Sequence, residues 1–318
     1  MKSRIILASL MTLLLLGGGC APTPTPTPAP VTEPPAAATA AVAPTAQPVA
    51  EVQTPADVAA TVNGQPIAMA TYQAQLQTAI ASYSAQPGFD AKSDDGKAAL
   101  AALRSQVLDW LIDQELIDQA AKRMGITVTD ADVDAEVQRI KNDNSSGFAD
   151  WLKANGFTED SFRTQTRSDL LGAKVRDEVT KGVPTQAEQV HLRQILVETQ
   201  DQANDILTKL RQGAGTFESL AKQYSQDNMT AQNGGDMGWV PRGVLAESVE
   251  QAAFALQPGQ ISNPVQSPLG WHLLQVEERA ANRDISPDIL ANLRQQAFMK
   301  WLETERAKAD IKRYVRDS

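Results

Sequence analysis

Residues 232–243 read QNGGDMGWVPRG in a chain of 318 residues that otherwise spreads its glycines thinly. The reading of this stretch decides what surrounds it. A phosphate cradle of the P-loop type ends in Gly-Lys-Ser/Thr at a helix start, and a dinucleotide turn needs G-x-G-x-x-G directly after a strand. Neither is present: Gly234-Gly235 follows a polar run, and no lysine occurs until well past the stretch. Two histidines and one cysteine in the whole chain argue against a transition-metal ligand cluster, and neither a metal nor a cofactor is expected. The remaining options are a plain turn or one wall of a binding site.

Working outward, Val190–Val197 is β-branched and aliphatic enough for a strand. Two helical patterns follow it: Ala203, Ile206, Leu207 and Leu210 stopping at Gly213, then Phe217, Leu220, Ala221 and Tyr224 behind a capping Thr216. Beyond the glycines come a short helix near Glu247–Leu256, a Pro258-Gly259 turn, and strands near Ile261–Gln266 and Trp271–Val276. This order implies a small sheet flanked by helices, an α+β domain over 185–281. Trp239 is read either as core filler or as part of a cleft wall.

Before this domain, residues 58–184 read as mostly helical after an Asn63-Gly64 hairpin signal. The firmest helix is AALAALRSQVLDWLIDQELIDQAAKRMG, with Leu100, Leu103, Val107, Trp110 and Leu111 on one face and Gly125 as its stop. Thr129 and Asp132 form a capping pattern ahead of Val133, Val137 and Ile140, and a further helix is expected from about Thr158 to Lys181. Residues 282–318 restart at Ser286-Pro287 as an amphipathic helix with Ile289, Leu293, Ala297 and Trp301 on one side. Marginal alone in water, it must dock.

The N-terminus places Lys2 and Arg4 before an apolar run from Ile5 to Leu16, then three glycines and Cys20. The run is too short to cross a hydrocarbon core of about 30 Å, so 1–20 reads as an export signal. It resembles a lipobox with Cys20 as the lipidated residue, although Gly17 stands where such boxes usually carry Leu. Residues 21–57 hold ten of the eighteen prolines and form a Pro/Thr/Ala-rich linker. In polyproline II geometry it could hold a folded body on the order of 100 Å from a membrane. The formal charge of −9 argues against a nucleic-acid partner.

The residues also carry a family resemblance. The run ILVETQDQANDILTKLRQGAGTFESLAKQYSQD, then NGGDMGWVPRG, then EQAAFALQPGQISNPVQSPLGWHLLQVEE resembles a parvulin-type peptidyl-prolyl isomerase domain. VNGQPIAMATYQ and LRSQVLDWLIDQELIDQAAKRMGITVTDADVDAE resemble the N-terminal chaperone region of the SurA and PrsA foldases. The resemblance implies a four-stranded antiparallel sheet flanked by helices, inserted in a mostly helical SurA-like domain onto which the C-terminal helix packs. It makes the glycine stretch the lining of a cleft for a substrate proline. By motif match Asp227, His272 and Gln194 take the polar catalytic positions, Gln194 standing where the family's first histidine stands. Met237, Leu245 and Val249, with Val240 near them, take the substrate pocket; family members usually carry phenylalanine at the place of Val249. His191 lies three residues upstream on the strand and is read as a surface residue of the opposite face.

The expected function is therefore that of an envelope foldase, tethered through Cys20, which isomerises and shelters unfolded exported polypeptides with X-Pro bonds. The alternative is a holdase chaperone whose isomerase module is weak or silent, because Gln194 cannot titrate and Val249 offers less apolar area than an aromatic ring.

Overall fold

The computed structural model describes residues 57–85, 89–143, 147–154 and 156–315. The signal, Cys20 and nearly all of the proline-rich linker lie outside the described residues. The chain divides into two compact units. The first comprises residues up to Gly172 together with Arg306–Ser318, and the second is Ala173–Glu305.

In the first unit, β1 (Val58–Val62) and β2 (Gln65–Ala68) form an antiparallel hairpin. Asn63 (φ 50°) and Gly64 (φ 80°) turn it, a left-handed pair that only residues tolerant of positive φ hold cheaply. Helices α1 (Met69–Ser84), α2 (Asp94–Met124), α3 (Asp130–Asp143) and α4 (Phe148–Ala154) follow, and α5 (Glu159–Val179) begins there and crosses into the second unit. The caps explain the boundaries. Ser93 accepts from the Gly96 amide, Gly125 closes α2 at φ 68°, and Thr129 and Asp132 exchange hydrogen bonds as a capping box. Val133, Val137, Leu152 and Phe162 are buried together, with the rings of Phe148, Trp151 and Phe157 each within 5.8 Å of Phe162.

The tail does more than end a helix. α9, numbered in chain order, spans Pro287–Lys308, and after it the chain turns into a strand, β7 (Ile311–Arg313), that pairs with β1 and completes the sheet β2-β1-β7. Asn63 ties the two ends: its amide donates to the Asp310 carbonyl at 2.8 Å, and its side-chain oxygen accepts from the Asp310 amide at 2.9 Å. Arg306 reaches Asp113 (2.5 Å), Asp109 (3.2 Å) and the Asp109 carbonyl (2.9 Å) on α2, and Arg313 joins Asp109 as well. The sequence pattern anticipated helix throughout 286–318; three residues of strand are too few to announce themselves by periodicity.

The second unit is built on the antiparallel sheet β4-β3-β6-β5, from β3 (Gln186–Val197), β4 (Asp236–Pro241), β5 (Val265–Ser267) and β6 (Gly270–Asp284). Helices α6 (Gln200–Arg211) and α7 (Phe217–Tyr224), each started by a capping box at Thr199 and Thr216, lie between β3 and β4. α8 (Glu247–Ala255) lies between β4 and β5, and α9 follows β6 as far as Glu305 within this unit. The mixed helix-and-sheet architecture is the expected α+β class. Two details differ. The fourth strand lies inside the glycine stretch, where Gly238 and the polar neighbours hide any alternation. The strand expected over Ile261–Gln266 shrinks to Val265–Ser267, with Ile261 making only an isolated bridge to Gln275.

Alternation along β3 sends side chains into two separate cores. Ile195 and Val197 pack with Ile206, Phe217 and Leu220 of α6 and α7, whereas Val190 and Leu192 pack with Val240, Val249 and Phe254. Replacing Arg306 by Ala removes the clamp on Asp109 and Asp113 while leaving both carboxylates in place. We expect this to destabilise the first unit by about 1–3 kcal/mol, read as a lower urea midpoint together with faster amide exchange across the β1–β7 pair.

Candidate active site

Gln194 and His272 are the centre of the site. They stand on adjacent strands, β3 and β6, with side chains on the face that carries Leu192 and Leu274, and both are buried, His272 to 4% exposure. Gln194 Nε2 donates to Asp227 Oδ2 at 2.7 Å, and Gln194 Oε1 lies 3.1 Å from His272 Nδ1. On the far side of the ring, His272 Nε2 lies 2.7 Å from Ser267 Oγ, which also accepts from the Leu269 amide at 3.0 Å. Asp227 further accepts from Thr230 Oγ1 (2.5 Å) and from the Met229 amide (3.1 Å). A continuous polar string thus runs Thr230–Asp227–Gln194–His272–Ser267.

Its direction follows from donor and acceptor chemistry. An ionised carboxylate only accepts, so Asp227 faces the NH2 of Gln194, which leaves Gln194 Oε1 towards His272. That oxygen only accepts, so Nδ1 carries the proton and Nε2 receives the Ser267 hydroxyl. Burial pushes the His272 pKa below its ordinary value, and the Asp227 charge only partly offsets this, so the ring is neutral near pH 7. Burial alone would raise Asp227; the hydrogen bonds from Thr230, Gln194 and the Met229 and Thr230 amides outweigh it and hold the carboxyl below its usual range.

The glycine stretch explains how the string is assembled. Gly235, at φ 79°, passes so close to β3 that an added Cβ would stand 2.2 Å from the Gln194 carbonyl oxygen, while its own carbonyl accepts from the Gln194 amide at 2.8 Å. Only a residue without a side chain permits that approach.

Next to the string lies an apolar floor. Leu274 is the register partner of Gln194 and Val265 that of His272, and both belong to the cluster containing Val240, Val249, Met237 and Leu245. The four expected pocket residues are therefore together, at two depths. Met237 and Leu245 are half-buried and reachable, whereas Val240 (4% exposed) and Val249 (3%) are buried in the core of the same cluster.

The other face of the sheet holds His191, Arg193 and Trp239. His191 Nε2 lies 3.1 Å from Asp236 and Nδ1 3.2 Å from Glu277, and Arg193 Nε donates to Glu277 at 2.6 Å. His191 lies on the face opposite Gln194, as strand alternation predicts, and is half-buried between two carboxylates. Trp239 is neither core filler nor cleft wall: it stacks on His191 at 5.5 Å, with the Arg283 guanidinium 4.3 Å from its ring centre. The donor atoms of His191, Asp236 and Glu277 lie within 4.8 Å of one another, a cluster that sequence spacing did not show because three strands contribute to it. Each ring nitrogen already faces its own carboxylate and Arg193 occupies Glu277, so the group reads as a hydrogen-bonded polar network. Ser267 is the site residue that sequence reasoning missed. Its only signal was its place at the far end of a two-residue turn from Gly270, opposite the strand that carries His272.

Two family models match the chain: the PPIC-type PPIASE domain over residues 173–278 and the SurA-like N-terminal domain over residues 43–176. Foldase protein PrsA 2 of Bacillus anthracis is 34% identical over 237 residues, which cover 70% of this chain and 80% of that protein. The chain belongs to the PrsA foldase family. Foldase protein PrsA of Caldanaerobacter subterraneus is 36% identical over 196 residues, 57% of this chain and 59% of that protein. Chaperone SurA of Bordetella avium is 40% identical over 146 residues, 40% of this chain and 28% of that protein, so the chain spans less than two thirds of these last two relatives. In this PrsA-family chain the string and its floor lie within the peptidyl-prolyl isomerase domain.

Two outcomes are expected. A nuclear magnetic resonance titration of the His272 ring should give a midpoint below 6.5, and Asp227→Asn, which removes the charge that favours the imidazolium, should lower it further. Because the folded pKa is depressed, the stability that His272 contributes is present above about pH 6.5 and is lost as the pH falls through the folded midpoint. Gly235→Ala should cost about 2–4 kcal/mol, the sum of a strained positive φ and the clash with the Gln194 carbonyl, in a denaturant titration.

Proposed function

We propose that the protein is an extracytoplasmic, membrane-anchored foldase that speeds cis/trans rotation at X-Pro bonds of unfolded exported polypeptides. In this reading residues 58–184 and the C-terminal segment 282–318 supply the chaperone body, 185–281 the isomerase, 21–57 the tether and Cys20 the lipid attachment. The tether and anchor rest on the N-terminal sequence; among the described residues no helix is long and apolar enough to cross a membrane. The observation that carries the catalytic reading is the fixed polar string beside a half-open apolar floor.

Rotation about an X-Pro amide crosses a barrier of about 18–20 kcal/mol and breaks no bond. What a protein can supply is a dry seat for the ring and a fixed polarity beside the twisted amide, whose carbonyl loses conjugation at the crest. Met237 and Leu245 offer the seat, with Val240 and Val249 buried in the same apolar cluster. Asp227 and Ser267, on either side of the Gln194–His272 pair, are half-buried and nearer the surface than that pair. Gln194 and His272 are buried and act as positioning residues, holding those two groups in one orientation. Unfolded polypeptide is the partner this chemistry fits, and no nucleic acid is expected at a charge of −9.

A holdase without isomerase activity is the second reading, favoured by Gln194 at a position where the resembling family carries a titratable ring. The two separate on His272→Ala. For a foldase, kcat on a proline tetrapeptide falls about tenfold or more with KM little changed, and suppression of client aggregation is preserved. Gln194→Leu, which removes both the donor to Asp227 and the acceptor for His272, should reproduce that loss, while Gln194→His keeps one donor and one acceptor and should preserve turnover. No measurable acceleration by the parent protein, with aggregation still suppressed, selects the holdase.

A further inference from the structure

Among the described residues, four large apolar side chains stand exposed: Met124, Met229, Leu269 and Met299. Single exposed hydrophobics are ordinary and by themselves mean nothing. Met229 (92% exposed) and Leu269 (77%) differ in where they are held. The Met229 amide donates to Asp227 Oδ1, and the Leu269 amide donates to Ser267 Oγ. These two acceptors lie on opposite sides of the Gln194–His272 pair in the polar string, so the two most exposed large apolar side chains among the described residues bracket the candidate site.

The brackets are built differently. Leu269 sits at the tip of the β5–β6 hairpin, between Pro268, whose φ is fixed, and Gly270, where an added Cβ would stand 2.4 Å from the Val197 carbonyl oxygen. The tip is pinned, so presenting Leu269 to a ligand costs little ordering. Met229 stands in a turn and has three rotatable bonds and a polarisable sulfur, which suit it to side chains of varied shape. Apart from Asp227, already engaged by Thr230, Gln194 and Met229, neither loop (225–230 and 266–270) contains a charged residue. A charged flank on a ligand finds no counter-charge there, whereas an aliphatic or aromatic one finds a surface to bury.

We infer that Met229 and Leu269 form a two-sided apolar grip that selects prolines flanked by large aliphatic or aromatic residues in extended, unfolded chain. This rests on the proposed reading of the site as a proline-binding one. The contour from the Met229 amide to the Leu269 amide along the string is about 20 Å, an upper limit on their separation, so a single extended segment of about six residues around one proline reaches both side chains. Such segments are buried once a client folds, which makes the grip selective for the unfolded state by the same apolar exposure that defines it.

The test uses the full chain with Met229→Ser and Leu269→Ser, both at exposed positions, and two peptides, Ala-Leu-Leu-Pro-Leu-Leu-Ala and Ala-Gly-Gly-Pro-Gly-Gly-Ala. Exchange spectroscopy gives affinity and rotation rate independently, and an unchanged His272 ring signal verifies that the string is intact. The parent should bind the leucine-flanked peptide about tenfold more tightly than the glycine-flanked one, and each variant should shrink that ratio about three- to fivefold. Equal affinity for the two peptides in the parent, or a parent-like ratio in both variants, overturns the grip. Rotation accelerated in the parent with a ratio insensitive to both variants sinks the grip and leaves the foldase reading standing. A ratio that falls in the variants, with no acceleration in any protein, sinks the enzymatic reading and leaves the grip.

Discussion

The second unit's site depends on one asymmetry: the Asp227 carboxylate can accept hydrogen bonds and cannot donate them. Everything along the string takes its orientation from that. The Gln194 amide has a donor end and an acceptor end of nearly equal size, and without a charged neighbour either could face His272. Asp227 removes the choice, so the imidazole tautomer and the Ser267 hydroxyl are set two and three groups away from the charge. The charge is itself held by Thr230 and the Met229 amide, local groups in a tight turn, so the polarity originates in a few residues of backbone geometry.

The sheet converts that local order into a site by keeping its two faces chemically separate. Alternation places Gln194 and His272 with the apolar floor and sends His191, Arg193 and Trp239 to the opposite side, where His191 and Arg193 face Asp236 and Glu277 and Trp239 stacks on His191. A histidine only three residues from Gln194 in sequence therefore has no share in the string. The register shifts in β3 and β6 near His191 and Leu192 localise the change of environment to one residue step. Gly235 then brings β4 close enough to β3 for the floor residues Met237 and Val240 to join Leu192 and Leu274.

How much of this was legible in the sequence varied with the kind of signal. Helices with caps were readable, since Thr129-x-x-Asp132 and Thr216 supply the groups that the helix start needs, and the observed hydrogen bonds are those. The face on which His191 lies was readable from strand alternation alone, whereas its carboxylate partners were not, because Asp236 and Glu277 are 45 and 86 positions away. β4 was illegible because glycines needed for close approach erase the alternation that marks a strand, and β7 because it is too short to show any period. Ser267 was missed since a serine in a hairpin reads as turn chemistry until its hydroxyl is seen against His272. The depth of Val249 was equally invisible: motif matching aligned it with a pocket position, and only packing shows that it is buried while Met237 and Leu245 of the same cluster stay half-buried.

Gln194 raises the question of what is lost when an amide stands where a second imidazole stands in the resembling family. For acid–base chemistry the loss would be severe, since an amide does not carry a proton through a cycle. Rotation about an amide transfers no proton in total, so the demands on position 194 reduce to one donor for Asp227, one acceptor for His272 and exclusion of water. A glutamine meets all three, and it does so at every pH at which Asp227 stays ionised, which the depressed Asp227 pKa extends towards the acid side. Under the foldase reading the substitution removes a source of pH sensitivity more than a catalytic group. The remaining titration of the string is then that of His272, and burial already places it below the ordinary imidazole value.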